Sequence, residues 1–502
     1  QQQQQHQPRQ SSGDRFVPAS SSADSTDNSY PQQQHVYPPT PAPVSHPPHL
    51  SEPVTPAGQA PQTPAQTAGG LFSGSVDLGN VGSVRAWVRR SNIHAQDAHG
   101  NTPLLTAASK GLADVCGVLL EHGASVAHAN HKQLNALLLA AAGGHSATVQ
   151  VLLANKADVN STNASGNSVL LLAVNKCHDQ VTELCLHAGA DPNHTNRRGF
   201  TVLICAVSKE SEKAVDLLLN AKADVNQTNA TGDTALGFAS HFGCLAVLRR
   251  LLQDPNVNVN HTNGDQCSAL MYAVLKESLP AVRLLVDANA DLDLQSKDGY
   301  SAVLLAAKSG HLPILQVLFD AGADITSRTA TDWNVLLIAT HNKHAKVARA
   351  ILQHAERTMS HTHFTQLLNA KAMGSTSLML AATNNMLDMC ALLAEAGADL
   401  NAQNIKGNTA LMMAVVNGHQ DLLTYLLDRG ADSNVQDHKG RTALMFSISK
   451  GNKSAAKQLI SHGADIYIES QSGTSPVSMV KDAATAQKLK DLARKYQEGL
   501  RR

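Results

Sequence analysis

Aromatic residues are scarce, 3% of 502 residues, so the placement of each ring carries information. Net charge is also missing: forty basic and forty acidic residues cancel, leaving no whole-protein field to favour nucleic acid or an anionic membrane. No apolar run approaches the roughly 20 residues that a membrane-spanning helix needs. The seven cysteines include no Cys-x-x-Cys pair. Most of them stand where other copies of a repeat described below carry apolar or small residues, so they read as small core hydrophobes of a reducing compartment, cytoplasm or nucleus. Signatures of catalysis are absent too. There is no Gly-rich phosphate loop before Lys-Ser/Thr, no His-Glu-x-x-His and no Gly-x-Ser-x-Gly, so no enzyme and no cofactor is expected. The chain opens on Gln1 rather than Met, which is compatible with a targeting segment upstream.

What is present is a recurring phrase. Asn408-Thr409-Ala410-Leu411 returns 33 residues later as Arg441-Thr442-Ala443-Leu444, and variants run back to Asn101-Thr102-Pro103-Leu104. The opening Thr, Ser or Asn falls at 102, 135, 168, 201, 234, 268, 301, 334, 376, 409, 442 and 475, in steps of 33 broken by one 34 and one 42. Such a period predicts a solenoid, whose units bury their apolar faces only by stacking. Function then belongs to a long shared surface.

Residues 1–70 are different material, with Gln runs at 1–5 and 32–34 and thirteen of the nineteen prolines. Without aliphatic periodicity the segment cannot offset the entropy of ordering, and a disordered arm is predicted. Pro38-x-x-Pro41, Pro53-x-x-Pro56 and Pro61-x-x-Pro64 suit an SH3-type groove or serve as plain spacer.

From Leu71 the pattern becomes paired short helices. Gly100 turns the chain, Thr102 caps a helix, and Pro103 occupies its first turn. Ala107 heads a column of small residues that continues through Ala140, Ala173 and Ala206 to Ala414 and Ser447. Gly111 ends the first helix, Val115, Val118 and Leu119 make the apolar face of a second, and Gly123 stops it.

These phrases resemble the ankyrin-repeat family, most clearly in Leu393-Ala-Glu-Ala-Gly-Ala-Asp-Leu-Asn401 and in Gly407 to Ala414. The resemblance runs from about Leu71 to the C-terminus. It implies an all-α solenoid of stacked helix-turn-helix units with projecting turns, a concave groove and capping helices at both ends. The resulting division is 1–70 disordered arm, 71–96 N-terminal capping repeat, 97–370 repeats with an irregular insertion near 357–369, 371–470 further repeats, and 471–502 a C-terminal capping repeat with a basic helix. The family also implies that Asn160, Asn226 and Asn401, in Asp-x-Asn turns, are substrates for asparaginyl hydroxylases.

Departures from the pattern carry the functional reading. The family's His after Thr-Pro-Leu is replaced throughout by residues such as Leu105, Ile204 and Met412. Lys156, Lys222 and Asn289 replace a turn Gly, which predicts softer second, fourth and sixth repeats. The position before each capping residue holds three aromatics, Phe200, Tyr300 and Trp333, beside the expected groove. They read either as interface anchors or as staples between turns. A second column near the ends of the first helices, including Lys276, Lys308 and Lys343, supplies a mildly basic stripe suited to an acidic peptide. Helix-dipole preference alone also explains such lysines. Asp97, Asp233, Asp298, Asp332 and Asp437 interrupt that stripe, against DNA or RNA binding. His354, His361 and His363 form the densest donor group, but no carboxylate or thiolate joins them at zinc-ligand spacing.

The sequence therefore predicts a non-enzymatic scaffold or adaptor that binds one or more proteins along its concave face and turns, with no nucleic acid and no membrane as partner. A transcriptional or signalling regulator whose Gln/Pro arm is the effector, and a metal-dependent enzyme built on the eighth repeat, are the alternatives.

Overall fold

The computed structural model describes residues 80–500, with side chains as far as Glu498. The Gln/Pro arm, its expected disorder and its PxxP motifs lie outside the described residues. So does the start of the N-terminal capping segment.

Every described element is a helix, apart from isolated bridges such as Ala129↔Asn135 and Thr262↔Ser268 at the bases of the projecting turns, here called fingers. In the first repeat Thr102 Oγ1 accepts from Leu105 N–H, and the helix Pro103–Ser109 follows. Asn135 and Asn334 accept in the same way at 2.9 and 2.8 Å, which satisfies one of the otherwise unpartnered first-turn amides. First helices are seven or eight residues long. That length is too short to hold in isolation, so stacking must supply the stability. The small-residue column is where the stacking happens: Ala107, Ala140, Ala273, Ala339, Ala414 and Ser447 are all fully buried.

Two side-chain ladders tie repeat to repeat. In the Asp-x-Asn loops Asp158 Oδ1 accepts from Asn160 N–H, and Asn160 Oδ1 accepts from Asp191 N–H, both at 2.9 Å. The pattern returns at Asn193 and Asp224 (2.7 Å) and at Asn401 and Asp432 (2.8 Å). A histidine ladder runs beside it: His145, His178, His344 and His419 each reach a carbonyl 36 residues earlier through Nε2, at 3.0 to 3.2 Å. These rings therefore join neighbouring repeats, while His311 of the same column caps its own helix by accepting from Ile314 N–H.

The residues replacing turn glycines take left-handed backbone, with φ of 61° at Lys156, 62° at Lys222 and 60° at Asn289. Cys177, Glu210, Glu277 and Lys343 do the same after first helices.

The long step is helical. The second helix of the eighth repeat runs Ala345–Thr358, fourteen residues where Leu312–Asp320 has nine, and Ser360 caps a further helix, His361–Leu368. Leu367 and Leu368 are buried and Phe364 is half-buried, while Leu367 O accepts from the buried Asn334 Nδ2 at 2.9 Å. Apolar residues three and four apart make this segment a helix on the stack. It occupies the place of an Asp-x-Asn loop, and the ladder resumes only at Asn369, which accepts from Asp399 N–H.

At the ends, Val84 and Val88 face the first repeat from the helix Val81–Val88. Leu489, Leu492, Ala493 and Tyr496 of Ala483–Leu500 lie half-buried against the last one. Among the described residues no helix is long and apolar enough to cross a membrane.

Candidate partner-binding surface

Each finger folds back over the first helix of its own repeat, and ring contacts define the face it covers. Counting from the capping residue, the residue at −1 lies over those at +4 and +7. Trp333 meets His341 edge-on with ring centroids 5.1 Å apart, Lys308 Nζ sits 4.9 Å above the Tyr300 ring, and Arg441 lies 4.5 Å over Phe446. This is the finger-side face of the stack.

The three aromatics expected as anchors are enclosed in that packing. Phe200, Tyr300 and Trp333 are 4%, 0% and 3% exposed. Phe200 packs edge-on against Phe238, with centroids 6.4 Å apart. Burial, with Asp298 nearby, pushes the Tyr300 hydroxyl up to about 12. Their large rings close the contact between finger and helix, Tyr300 and Trp333 on the first helix of their own repeat and Phe200 on that of the next.

The lysines do not form one line. Lys276 is the exposed C-cap residue of Ala269–Leu275, whereas Lys308 lies half-buried within Ala302–Ser309. Burial lowers the pKa of Lys308, and Asp298 opposes that shift. Lys343 stands beyond its helix in left-handed backbone, φ 64°, and is exposed. They sit at +8, +7 and +9 respectively, which places each differently.

The histidines of the eighth repeat are placed apart. His354 stacks on Phe319 with centroids 4.1 Å apart and a 14° interplanar angle, and His363 Nδ1 pairs with Ser360 Oγ at 2.9 Å. No three His, Cys, Asp or Glu side chains converge as a metal would require among the described residues. His361 instead lines a shallow open depression of about 690 Å³ beside Arg328 and Asn369.

Exposed apolar side chains lie one repeat further on. Met373 is 52% and Ile405 71% exposed, at the tips of the ninth and tenth fingers. The ninth finger is a tight hairpin: Ala372 and Ser375 exchange both backbone hydrogen bonds across Met373 and Gly374, whose φ values are 52° and 78°. Two consecutive left-handed residues make a turn for which Gly and Asn are the usual occupants. A Met there costs about 1–2 kcal/mol, in addition to exposing an apolar side chain. Ile405 lies over Gly374, so the two apolar tips are neighbours.

The helix column beneath them is less completely covered than in the middle of the array. At +4 the residues of repeats three to eight are sealed, for example Leu305 at 2% and Ile338 at 0%, whereas Leu380 and Met413 in repeats nine and ten, like Leu139 in repeat two, are half-buried against the core. The −1 residues there are Ser375 and Asn408, but small −1 residues also stand in repeats three, five and six (Asn167, Asp233, Cys267), where Leu172, Phe238 and Tyr272 are each 6% exposed, so the size of that residue alone does not set the exposure at +4.

The family pattern described as "Ankyrin repeats (3 copies)" matches residues 75–163, 170–263, 239–329, 327–404 and 378–470. This chain belongs to the ankyrin-repeat family. A solved structure, the human ASB11 ankyrin repeat domain, is 23% identical over 45% of this chain and 99% of that chain, with a TM-score of 0.40. Ankyrin repeats are in general protein–protein interaction modules, typically without catalysis. Neither Met373 nor Ile405 stood out in the sequence of this ankyrin array. For Ile405 the available signal was an apolar residue at the tip position, four before the cap, held elsewhere by His131, Arg197 or Lys297.

Proposed function

We propose that this ankyrin-repeat protein is a scaffold or adaptor that captures another protein on its finger-side face, without catalysing a reaction on it. What carries the reading is a row of fingers held rigidly in register. His131 N–H donates to His99 O, Arg197 N–H to Ser165 O, Lys297 N–H to Asp265 O and His438 N–H to Lys406 O, each a finger apart. Loops held in this way that carry exposed side chains suit recognition, because little entropy is lost when they bind. An acidic peptide segment suits the exposed lysines of this face, Lys276 and Lys343 among them.

Cross-linking of the full chain to a captured partner, read by mass spectrometry, tests this. Cross-links concentrated on finger lysines such as Lys132, Lys297 and Lys406 are expected. Concentration on second-helix lysines such as Lys213, Lys346 and Lys457 would contradict it.

A further inference from the structure

We infer that the finger-side face of repeats nine to eleven is the primary docking surface, and that its occupant is an acidic protein segment carrying apolar anchors. This rests on the scaffold reading above and gives it a place and a chemistry.

The first observation is apolar. Met373 and Ile405 stand exposed at the tips of adjacent, touching fingers, with Leu380 and Met413 half-buried on the first helices of the same repeats. Single exposed apolar residues are ordinary, but two on the tips of adjacent fingers, with further apolar surface partly accessible on the helices of the same repeats, offer contacts for an apolar anchor. Met373 holds a left-handed turn position, φ 52°, while its side chain lies in solvent. Its packing within the chain does not account for that cost, and contact with a partner does.

Charge is the second observation, independent of the first. Across the fingers and first helices of repeats nine to eleven the exposed charges are Lys371, Lys406, Lys439 and Lys450, joined by Arg441. The acid on this face is Asp437, 5% exposed and held by Arg441 at 2.7 Å. The other acids of these repeats, Asp388, Glu395, Asp399, Asp421, Asp428, Asp432 and Asp465, belong to second helices and to the loops that follow them, and Glu469 on the twelfth finger borders the face as an exposed acid. Earlier fingers carry exposed acid, as at Asp265 and Asp332. A basic field around an apolar centre selects acidic partners and repels basic ones.

The surface is also preorganised. Gln403 Nε2 donates to Gly407 O and to Gln436 O of the next finger, at 2.9 and 2.8 Å, and Gln436 Nε2 donates to Glu469 O at 2.9 Å. Lys371 Nζ donates to Gln403 O at 2.7 Å, which ties the ninth finger to the tenth.

The probe is a fluorescein-labelled peptide of three Glu-Glu-Leu-Phe units, titrated with the full chain by anisotropy. Its comparators are the Lys-Lys-Leu-Phe and Glu-Glu-Ser-Ser versions and a single-stranded oligonucleotide. The acidic, apolar peptide is expected to bind about tenfold or more tightly than each comparator and to weaken with salt. Ile405→Ser and Lys406→Glu are each expected to lower its affinity about tenfold. Both residues are exposed, so folding is retained and far-UV circular dichroism checks it. Lys346→Glu, on a second helix, is the control expected to change nothing. Equal binding of the oligonucleotide would identify a polyanion site and overturn the inference. So would equal or absent binding of all peptides, or indifference to both variants. If partner cross-links then fell on fingers one to eight, this inference would fail while the scaffold reading stood.

Discussion

Replacing Trp333 by Ala separates a structural ring from a binding anchor. Trp333 is 3% exposed. A Trp side chain buries roughly 150–250 Å², worth about 4–6 kcal/mol at ~25 cal/mol per Å². Measured truncations of buried aromatics fall at about 3–5 kcal/mol. One effect lowers the figure: Nε1–H is buried without a hydrogen-bond partner, and removing an unsatisfied donor returns about 1–3 kcal/mol. A net loss of about 3 kcal/mol is expected for Trp333→Ala. Trp333→Phe, which deletes the N–H and keeps most of the ring, should stay within about 1 kcal/mol of the parent. Urea unfolding followed by far-UV circular dichroism measures both. Because repeats couple mainly to their neighbours, hydrogen exchange should localise the loss to Val335–His341 and Ala345–Thr358. A loss under about 1 kcal/mol for Trp333→Ala, accompanied by loss of partner capture, would refute the burial argument and restore Trp333 as an anchor.

Lys222→Gly should stabilise the fourth repeat by about 0.5–1 kcal/mol. It removes a left-handed Lys costing about 1–2 kcal/mol and adds back Gly's entropy of about 0.5–1, and a lowered urea midpoint would count against this. Of the seven thiols Cys177 is the exposed one, while burial pushes Cys116, Cys185, Cys205 and Cys390 up to about 12. An aromatic disulfide reagent should therefore label Cys177 first, and labelling of Cys205 at the same rate in the folded chain would refute its burial. Burial lowers the His354 pKa, with Asp320 opposing the shift and Arg357 adding to it. The neutral ring is favoured when folded, so its contribution is complete above the unfolded value near 6.5 and is lost as pH falls through the depressed folded one. On acidification wild type should lose more stability than His354→Phe, and parallel pH profiles would exclude the assignment.

How much was legible can be followed in single columns. The alanine column from Ala107 to Ala414 was readable because close helix approach admits only small side chains, and a repeat displays that requirement many times. The left-handed turns at Lys156 and Lys222 were readable because neighbouring copies place Gly there. The placement of Trp333 and Tyr300 was not. A large ring before a capping residue is compatible with facing solvent or with folding back on its own helix, and only His341 and Lys308, seven residues beyond the caps, decide between these. The nine residues added near 357–369 pointed to an irregularity but not to a lengthened Ala345–Thr358 followed by a capped helix, since helix continuation depends on the stack that receives Leu367 and Leu368.

The sequence by itself determined the architecture: period, caps, turn glycines and the small-residue column are local requirements written once per repeat, and their recurrence averages out individual departures. Tertiary structure alone decided which departures face outward. Exposure depends on what the neighbouring finger covers. Trp333 and Tyr300 lie closed over His341 and Lys308 of their own first helices, whereas Met373 and Ile405 stand exposed at their finger tips. The residues best placed to meet a partner are therefore not the rings that first drew attention but apolar side chains at finger tips whose exposure no repeat column displays.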